Sequence, residues 1–381
     1  MLKNKIYNYF TREIIKSFLT ILFALSIIAW TVRAVSFLDL IVDNGHSVTT
    51  YLLFSLFNIT NIITKFAPLS FLIALVLTIL RFEKQNELLI LWTTGISKIR
   101  LANLFLLISF MILLFQVIFA TFVTPTSLNK SRSFIRDSDL NSLSSIIKAN
   151  DFSDSFKNIT FYVEKKNINN EMENIFIRDE NNTFSSIVST SGESSNTTII
   201  AEKGFVDKKK LILSNGIIQS QDNKGELNNI YFKKTALSIN SLAPRTITAP
   251  KLQETSTGVL IKCIIEIRKE IISKLQNCPK KNMTQDITST LLRRIGMPLY
   301  IPLIGLICCF ILIAPRNIKF KNVKKYIYFS LGFIILVFAE VLVRFSGFSL
   351  LYSGLYLGAP LILTPLTYLI LLKRFRVEKM N

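Results

Sequence analysis

The sequence predicts an α-helical membrane protein with six transmembrane helices and an extracytoplasmic all-β domain inserted between the third and fourth of them. Three observations carry this. Half of the 381 residues are hydrophobic and the mean hydropathy is +0.41, too apolar for an ordinary soluble chain of this length. The apolar residues crowd into 14–128 and 295–372, leaving between them a polar block large enough to fold as a domain. Basic clusters flank the apolar runs: Lys3 and Lys5; Arg81, Lys84, Lys98 and Arg100; Arg316, Lys319, Lys321, Lys324 and Lys325; and Lys373, Arg374, Arg376 and Lys379. The positive-inside rule places all four on the cytoplasmic side, with both termini inside and the polar block outside.

The spans follow in order as Ile14–Val42, Tyr51–Leu80, Ile99 to about Phe122 with Pro125 ending it, Ile295–Ala314, Tyr326–Phe345 and Leu355–Leu372. Each can cross a hydrocarbon core of about 30 Å. Pro68 predicts a tilt, a kink or a preceding interfacial turn in the second span. The N-terminal apolar run lacks a small-residue cleavage site and reads as an uncleaved first span. The domains are therefore 1–128, with a cytoplasmic helix at about 81–94; 129–290, the extracytoplasmic domain; and 291–381.

Within the polar block, "TFYVE" (160–164), "NIFIRDE" (174–180), "TTIIAEKG" (197–204), "KKLILSNGIIQSQD" (209–222) and "NNIYFKKTALSI" (228–239) read as strands. Asn215-Gly216 predicts a hairpin turn and Asn223-Lys224-Gly225 a second one. Closely spaced strands of this kind predict a sandwich or open barrel. The Ser/Thr-rich stretch 187–198 reads as a loop, and 259–275 returns to helical spacing at the membrane surface. Cys308 and Cys309 sit in an apolar run as packing residues, whereas Cys263 and Cys278 could pair in an oxidising compartment.

Chemistry of the catalytic kind is absent from the pattern. No G-x-x-x-x-G-K-[ST] occurs, so the chain has no P-loop. The single histidine, His46, makes neither a triad nor a metal site by itself. No catalytic or metal residue is assigned, no cofactor is expected on this chain, and work on a substrate must draw on a gradient or a partner. Much of the net charge of +20 lies in short clusters beside the apolar runs, which argues against nucleic acid.

Four cations fall within or at the outer ends of spans. At about 1.5 Å per residue, Arg33, Lys65 and Arg344 lie roughly 24–27 Å from the inner face, and Arg294 stands at the outer entrance of span four. Charge at that depth costs a few kcal/mol, which makes it a functional candidate. Snorkelling, or an Arg344–Glu340 pair, is the plain alternative for any one of them. Together they suit the phosphates of an acidic amphiphile.

The stretch "RFEKQNELLILWTTGISKIR" (81–100) places Glu83 and Glu87 on one helical face, with Leu88, Leu91 and Trp92 as an apolar patch beside Glu87. Gly95 follows, and Ser97 stands where it would cap the third span. A solvated turn explains the charges alone. Beside a missing P-loop, a helix docking into a groove on a separate ATPase explains more.

These residues resemble the F/G permeases of the lipopolysaccharide transport (Lpt) exporter, the YjgP/YjgQ family. The likeness runs through "YFTREIIKSFLTILFAL" (9–25), "APLSFLIALVLTILRFEKQNELLILWTTGISKIRL" (67–101), the polar block and "RRIGMPLYIPLIGL" (293–306). The Pro-Leu-Ser of span two, Glu87 and Gly95-Ile96-Ser97 are its most specific parts. The opening span and the "GISK" wording look more like the F member than the G member. The resemblance implies a permease that pairs with a second, LptG-like subunit over an LptB-like ATPase dimer, where ATP and Mg would be held. Such a pair extracts lipopolysaccharide from the outer leaflet of the bacterial inner membrane and passes it to LptC- and LptA-like periplasmic proteins through a jellyroll-like domain. It also implies that Glu87 is the acid meeting the ATPase and that Arg33 contacts lipid A phosphates. A second base found in some relatives is replaced here, near Ser36. Lys65, Arg294 and Arg344 rest on depth alone.

Rival readings are a mechanotransmitting ABC permease subunit that moves no lipid, a membrane sensor or scaffold, and a secondary transporter. The first usually carries its outside domain between spans one and two. The second needs an inside signalling domain, and the third needs mid-membrane acids, for which Glu340 is the main candidate.

Overall fold

A computed structural model of the chain describes residues 2–42, 47–141, 149–156, 158–167, 171–180, 194–207, 210–222, 227–238, 251–268, 284–313 and 321–380. His46, Cys278, the Asn223–Gly225 turn, residues 187–193 and 269–275, and Arg316 and Lys319 lie outside them. Two compact units result. One comprises Met1–Val32, Asn58–Asn129 and Lys251–Asn381, and the other Arg33–Phe57 and Lys130–Pro250.

The helices are α1 (Leu2–Ser36), α2 (Asp39–Val42), α3 (Val48–Lys84), α4 (Glu87–Thr93), α5 (Lys98–Ile118), α6 (Thr124–Asn141), α7 (Thr257–Arg268), α8 (Thr284–Cys309), α9 (Lys321–Phe345) and α10 (Leu350–Met380). Among the described residues, six helical stretches are long and apolar enough to cross a membrane. The first unit is built around α8, in which every side chain from Tyr300 to Cys309 is buried. A side chain at Gly305 would collide with the Ser109 hydroxyl, so the bare backbone lets α8 and α5 approach closely, as small residues do in membranes. The free thiols Cys308 and Cys309 fill this core, as expected of packing residues.

Two prolines lie within the helices of spans two and three. Pro68 lies inside α3 without ending it, since neighbouring helices can satisfy a freed backbone group. Pro125 does not stop the third span: one π turn, Phe119–Val123, leads straight into α6. Pro125 falls in the first turn of that new α segment, where a missing N–H is tolerated. It offers no N–H to the carbonyl four residues back, that of Thr121, and the Thr257 hydroxyl donates there at 2.7 Å.

In the second unit, β1 (Asp151–Phe156), β2 (Ile159–Lys166), β3 (Glu171–Asp179), β4 (Ser194–Asp207), β5 (Lys210–Asp222) and β6 (Leu227–Ser238) form one antiparallel sheet in chain order. The order is a meander, with no crossover of the jellyroll kind among the described strands. Its buried face gathers Ile159, Phe161, Val163, Ile175, Ile177, Ile199, Leu211, Leu213 and Ile218. Residues 194–198 of the expected Ser/Thr-rich loop open β4.

Asn215-Gly216 is not a hairpin. Both residues lie inside β5, paired on either side without a register shift. Asn215 adopts φ 53°, and Asn174 of β3 adopts φ 52°, a left-handed conformation that Asn tolerates. Leu211 and Leu213 are buried before Asn215, and Ile218 and Ser220 after it, so the alternation changes phase there while one face stays inside. Gly216 is required by packing: a Cβ would meet the Ile200 carbonyl and the Phe232 ring. The Asn-Gly pair that signals a turn here marks a bend across a continuous strand.

Candidate functional site

The candidate site in the helical unit is α4, a seven-residue helix with a defined stop at each end. Asn86 breaks it from α3 at φ 59°, and Gly95 takes φ 82° beyond its last turn. There the Ile96 N–H donates to the Leu91 carbonyl at 3.1 Å and the Gly95 N–H to the Trp92 carbonyl at 3.2 Å. This is a Schellman stop, closed by burial of both Leu91 and Ile96. Ser97 occupies the N-cap position of α5 as expected, but its side chain makes no capping bond. The Arg100 N–H bonds to its carbonyl instead.

Ion pairs pin the helix ends around α4. Arg81 of α3 reaches Glu13 of α1 at 2.9 Å, Lys325 of α9 reaches Glu83 at 2.8 Å, and Lys98 of α5 pairs with Glu378 of α10. Lys98 also lies 5.6 Å from the Trp92 ring centre. Glu83 and Trp92 thus serve the bracing of the bundle. Glu87 differs: the described partner of its carboxylate is the neutral Tyr9 hydroxyl at 3.1 Å. It lines a groove of about 340 Å³ between α4 and the start of α1, with Lys5, Tyr9, Ile90 and Thr94.

The expected apolar patch faces the other way. Leu88 and Leu91 are buried in the bundle core, while Leu89 and Ile90 are 60% and 59% exposed. On a helix of two turns the sequence pattern does not say which flank has a neighbour; here Leu88 and Leu91 join the buried core of the helical unit, Leu91 beside the start of α1. The outward surface is Glu87, Leu89 and Ile90.

The four membrane cations separate. Lys65 in α3 and Arg344 in the last turn of α9 are exposed, and so, in the other unit, is Arg33 in the last turn of α1. Arg294 is 7% exposed. Its guanidinium donates to the Thr257 hydroxyl at 2.8 Å and to the carbonyls of Leu252, Gln253 and Thr255 at 3.1, 3.0 and 3.0 Å. The sequence offered it to a headgroup; here burial and four protein acceptors engage its guanidinium with the chain itself, and Arg294 anchors residues 252–257 to α8. Glu340, the alternative partner for Arg344, pairs with Arg293. Sequence reasoning passed over Arg293 and Tyr9; the 47-residue and 78-residue separations of their pairs leave no local signal.

Comparison with known proteins agrees with this architecture. The family described as "Lipopolysaccharide export system permease LptF/LptG" matches residues 8–374 of the chain. That description does not separate F from G. A protein of Rickettsia prowazekii (strain Madrid E), "Uncharacterized protein RP871", is 24% identical over 237 residues, which is 61% of this chain. The chain covers 63% of that relative's length.

Proposed function

From the match over residues 8–374 this chain belongs to the LptF/LptG family of lipopolysaccharide export permeases, and we propose that it is the membrane subunit of an ATP-driven exporter that lifts lipopolysaccharide out of the inner membrane. Family membership makes it a transport subunit rather than an enzyme. In this reading it sits in the bacterial inner membrane with both termini in the cytoplasm and the sheet in the periplasm. A second permease subunit, an LptB-like ATPase dimer and LptC- and LptA-like proteins complete the path.

The observation that carries the reading is α4. Its Glu87 lacks a cation partner among the described residues, stands beside exposed Leu89 and Ile90, and is held between two stops, so a force on it reaches the bundle through α3 and α5. An acid next to an apolar pair on a short rigid helix suits a groove on a soluble partner. ATP-driven closure of the ATPase pair moves α4, and the spans it braces close on the bound lipid. Arg33, Lys65 and Arg344 are the cations offered to lipid phosphates, by charge-assisted bonds. Unequal lipid affinity in the open and closed states is what drives release. The disulfide at Cys263 supports an oxidising compartment for its side of the membrane.

Co-purification tests this. Wild-type chain is expected to bring down an ATPase and a phosphorylated glycolipid, and Glu87→Ala to retain the lipid while losing most of the ATPase. Wild type that retains neither refutes the exporter reading.

A further inference from the structure

The bend across the sheet aligns one side chain from each of five strands. The pairings on either side set Glu164 opposite Asn174, Asn174 opposite Glu202, Glu202 opposite Asn215, and Asn215 opposite Lys233. Asn174 donates to the Glu164 carboxylate, and Asn215 donates to that of Glu202 at 3.3 Å. Beside this polar row runs an apolar one, Tyr162, Phe176, Ile200, Ile217 and Tyr231, paired strand to strand. The two rows meet in a groove of about 720 Å³, walled by Ile200, Ile217 and Tyr231 and floored by Glu202, Asn215 and Lys233. Tyr231 is 75% exposed and Ile200 51%, so neither is explained by the core.

We propose that this groove binds the sugar ring of a saccharide. The C–H face of a pyranose can lie on the Tyr231 ring and the aliphatic wall. Its neighbouring hydroxyls then meet an acceptor-only carboxylate, carboxamides that donate and accept, and an ammonium that donates. That mixture of apolar wall and few convergent polar groups is the make-up of a small-ligand site. A bare phosphate is disfavoured, because Glu202 sets a carboxylate in the floor and Glu164 adds a second negative charge further along the same row. An acyl chain is disfavoured because it would cover the charged Glu202 and Lys233 side chains and offer neither a hydrogen bond. The inference rests on the export reading only in naming the source: the saccharide part of the exported glycolipid, met outside the sheet's buried core.

The test uses the full chain in a detergent without a sugar headgroup. Saturation-transfer NMR is recorded with the oligosaccharide released from lipopolysaccharide by mild acid, and separately with intact lipopolysaccharide. Saturation of ring protons in both, undiminished by inorganic phosphate, is the expected result. Tyr231→Ala and Glu202→Gln, both at exposed positions, should each weaken oligosaccharide binding about tenfold, with unchanged circular dichroism. No transfer to the released oligosaccharide overturns the inference, as does displacement by phosphate or wild-type binding by both variants. Binding of the released oligosaccharide by a chain that co-purifies with neither ATPase nor glycolipid would keep the saccharide site and refute the exporter.

Discussion

The helical unit and the sheet unit place their apolar side chains by opposite rules. In the sheet, Phe161, Ile177 and Leu213 are wholly buried on one face, and water meets Glu202, Lys203 and Asn215 together with the short apolar row that holds Ile200 and Tyr231. In the helical unit, Leu350 and Ile362 stand 81% and 68% exposed while an arginine is enclosed. The difference teaches which solvent each unit meets. Where the surroundings are water, burial of apolar surface supplies the stability. Where they are lipid, apolar burial between helices gains little, and close packing with internal polar bonds holds the bundle.

Four substitutions test that contrast, read by hydrogen exchange resolved along the full-length chain. Phe161→Ala should lower the stability of the sheet by about 4 kcal/mol, because it removes a fully buried aromatic. Loss of protection confined to β1–β6 supports the contrast; unchanged protection there breaks it. Arg294→Met leaves a buried hydroxyl and three carbonyls without their donor, and should cost about 3 kcal/mol at residues 252–257 and α8. Gly95→Val forces a β-branched residue to a positive φ, a loss of about 1–2 kcal/mol that should fray α4 before any other helix. Ile362→Ala removes a side chain that lipid replaces, so a change above about 0.5 kcal/mol would show that this flank of α10 packs against protein.

What the sequence disclosed follows the same division. The six helices were legible because a membrane demands long apolar runs, and five of the six strands because half-buried sheets alternate; β1, "DFSDSF", carries too few apolar residues to show that alternation. Orientation was not legible where an element is short: Leu88 and Leu91 of α4 read equally well as a surface patch or an inward face. Asn-Gly was read as a turn because the same left-handed backbone serves a hairpin and a bend, and only the neighbouring strands decide between them. Pro125 misled through the π turn before it, which no residue type announces. Arg294 was recognised as unusual but given a ligand outside the protein, since its acceptors are mostly backbone carbonyls and carry no sequence signal. For Glu87 the family pattern located the residue, and the structure supplied Tyr9 as its neighbour.

The Thr257 hydroxyl accepts from Arg294 and donates to Thr121. The helical unit releases the chain after Asn129 and takes it up again at Lys251, so this three-residue link staples the outgoing and returning strands of polypeptide at their own threshold. In modular terms this pair of crossings, one of two by which the chain leaves and re-enters the helical unit, is a socket whose terminals are tied within that unit. Loop-closure entropy grows slowly with length, so a socket of this kind tolerates large changes in the insert. Grafting a different sheet between residues 129 and 251 should leave the helical bundle intact.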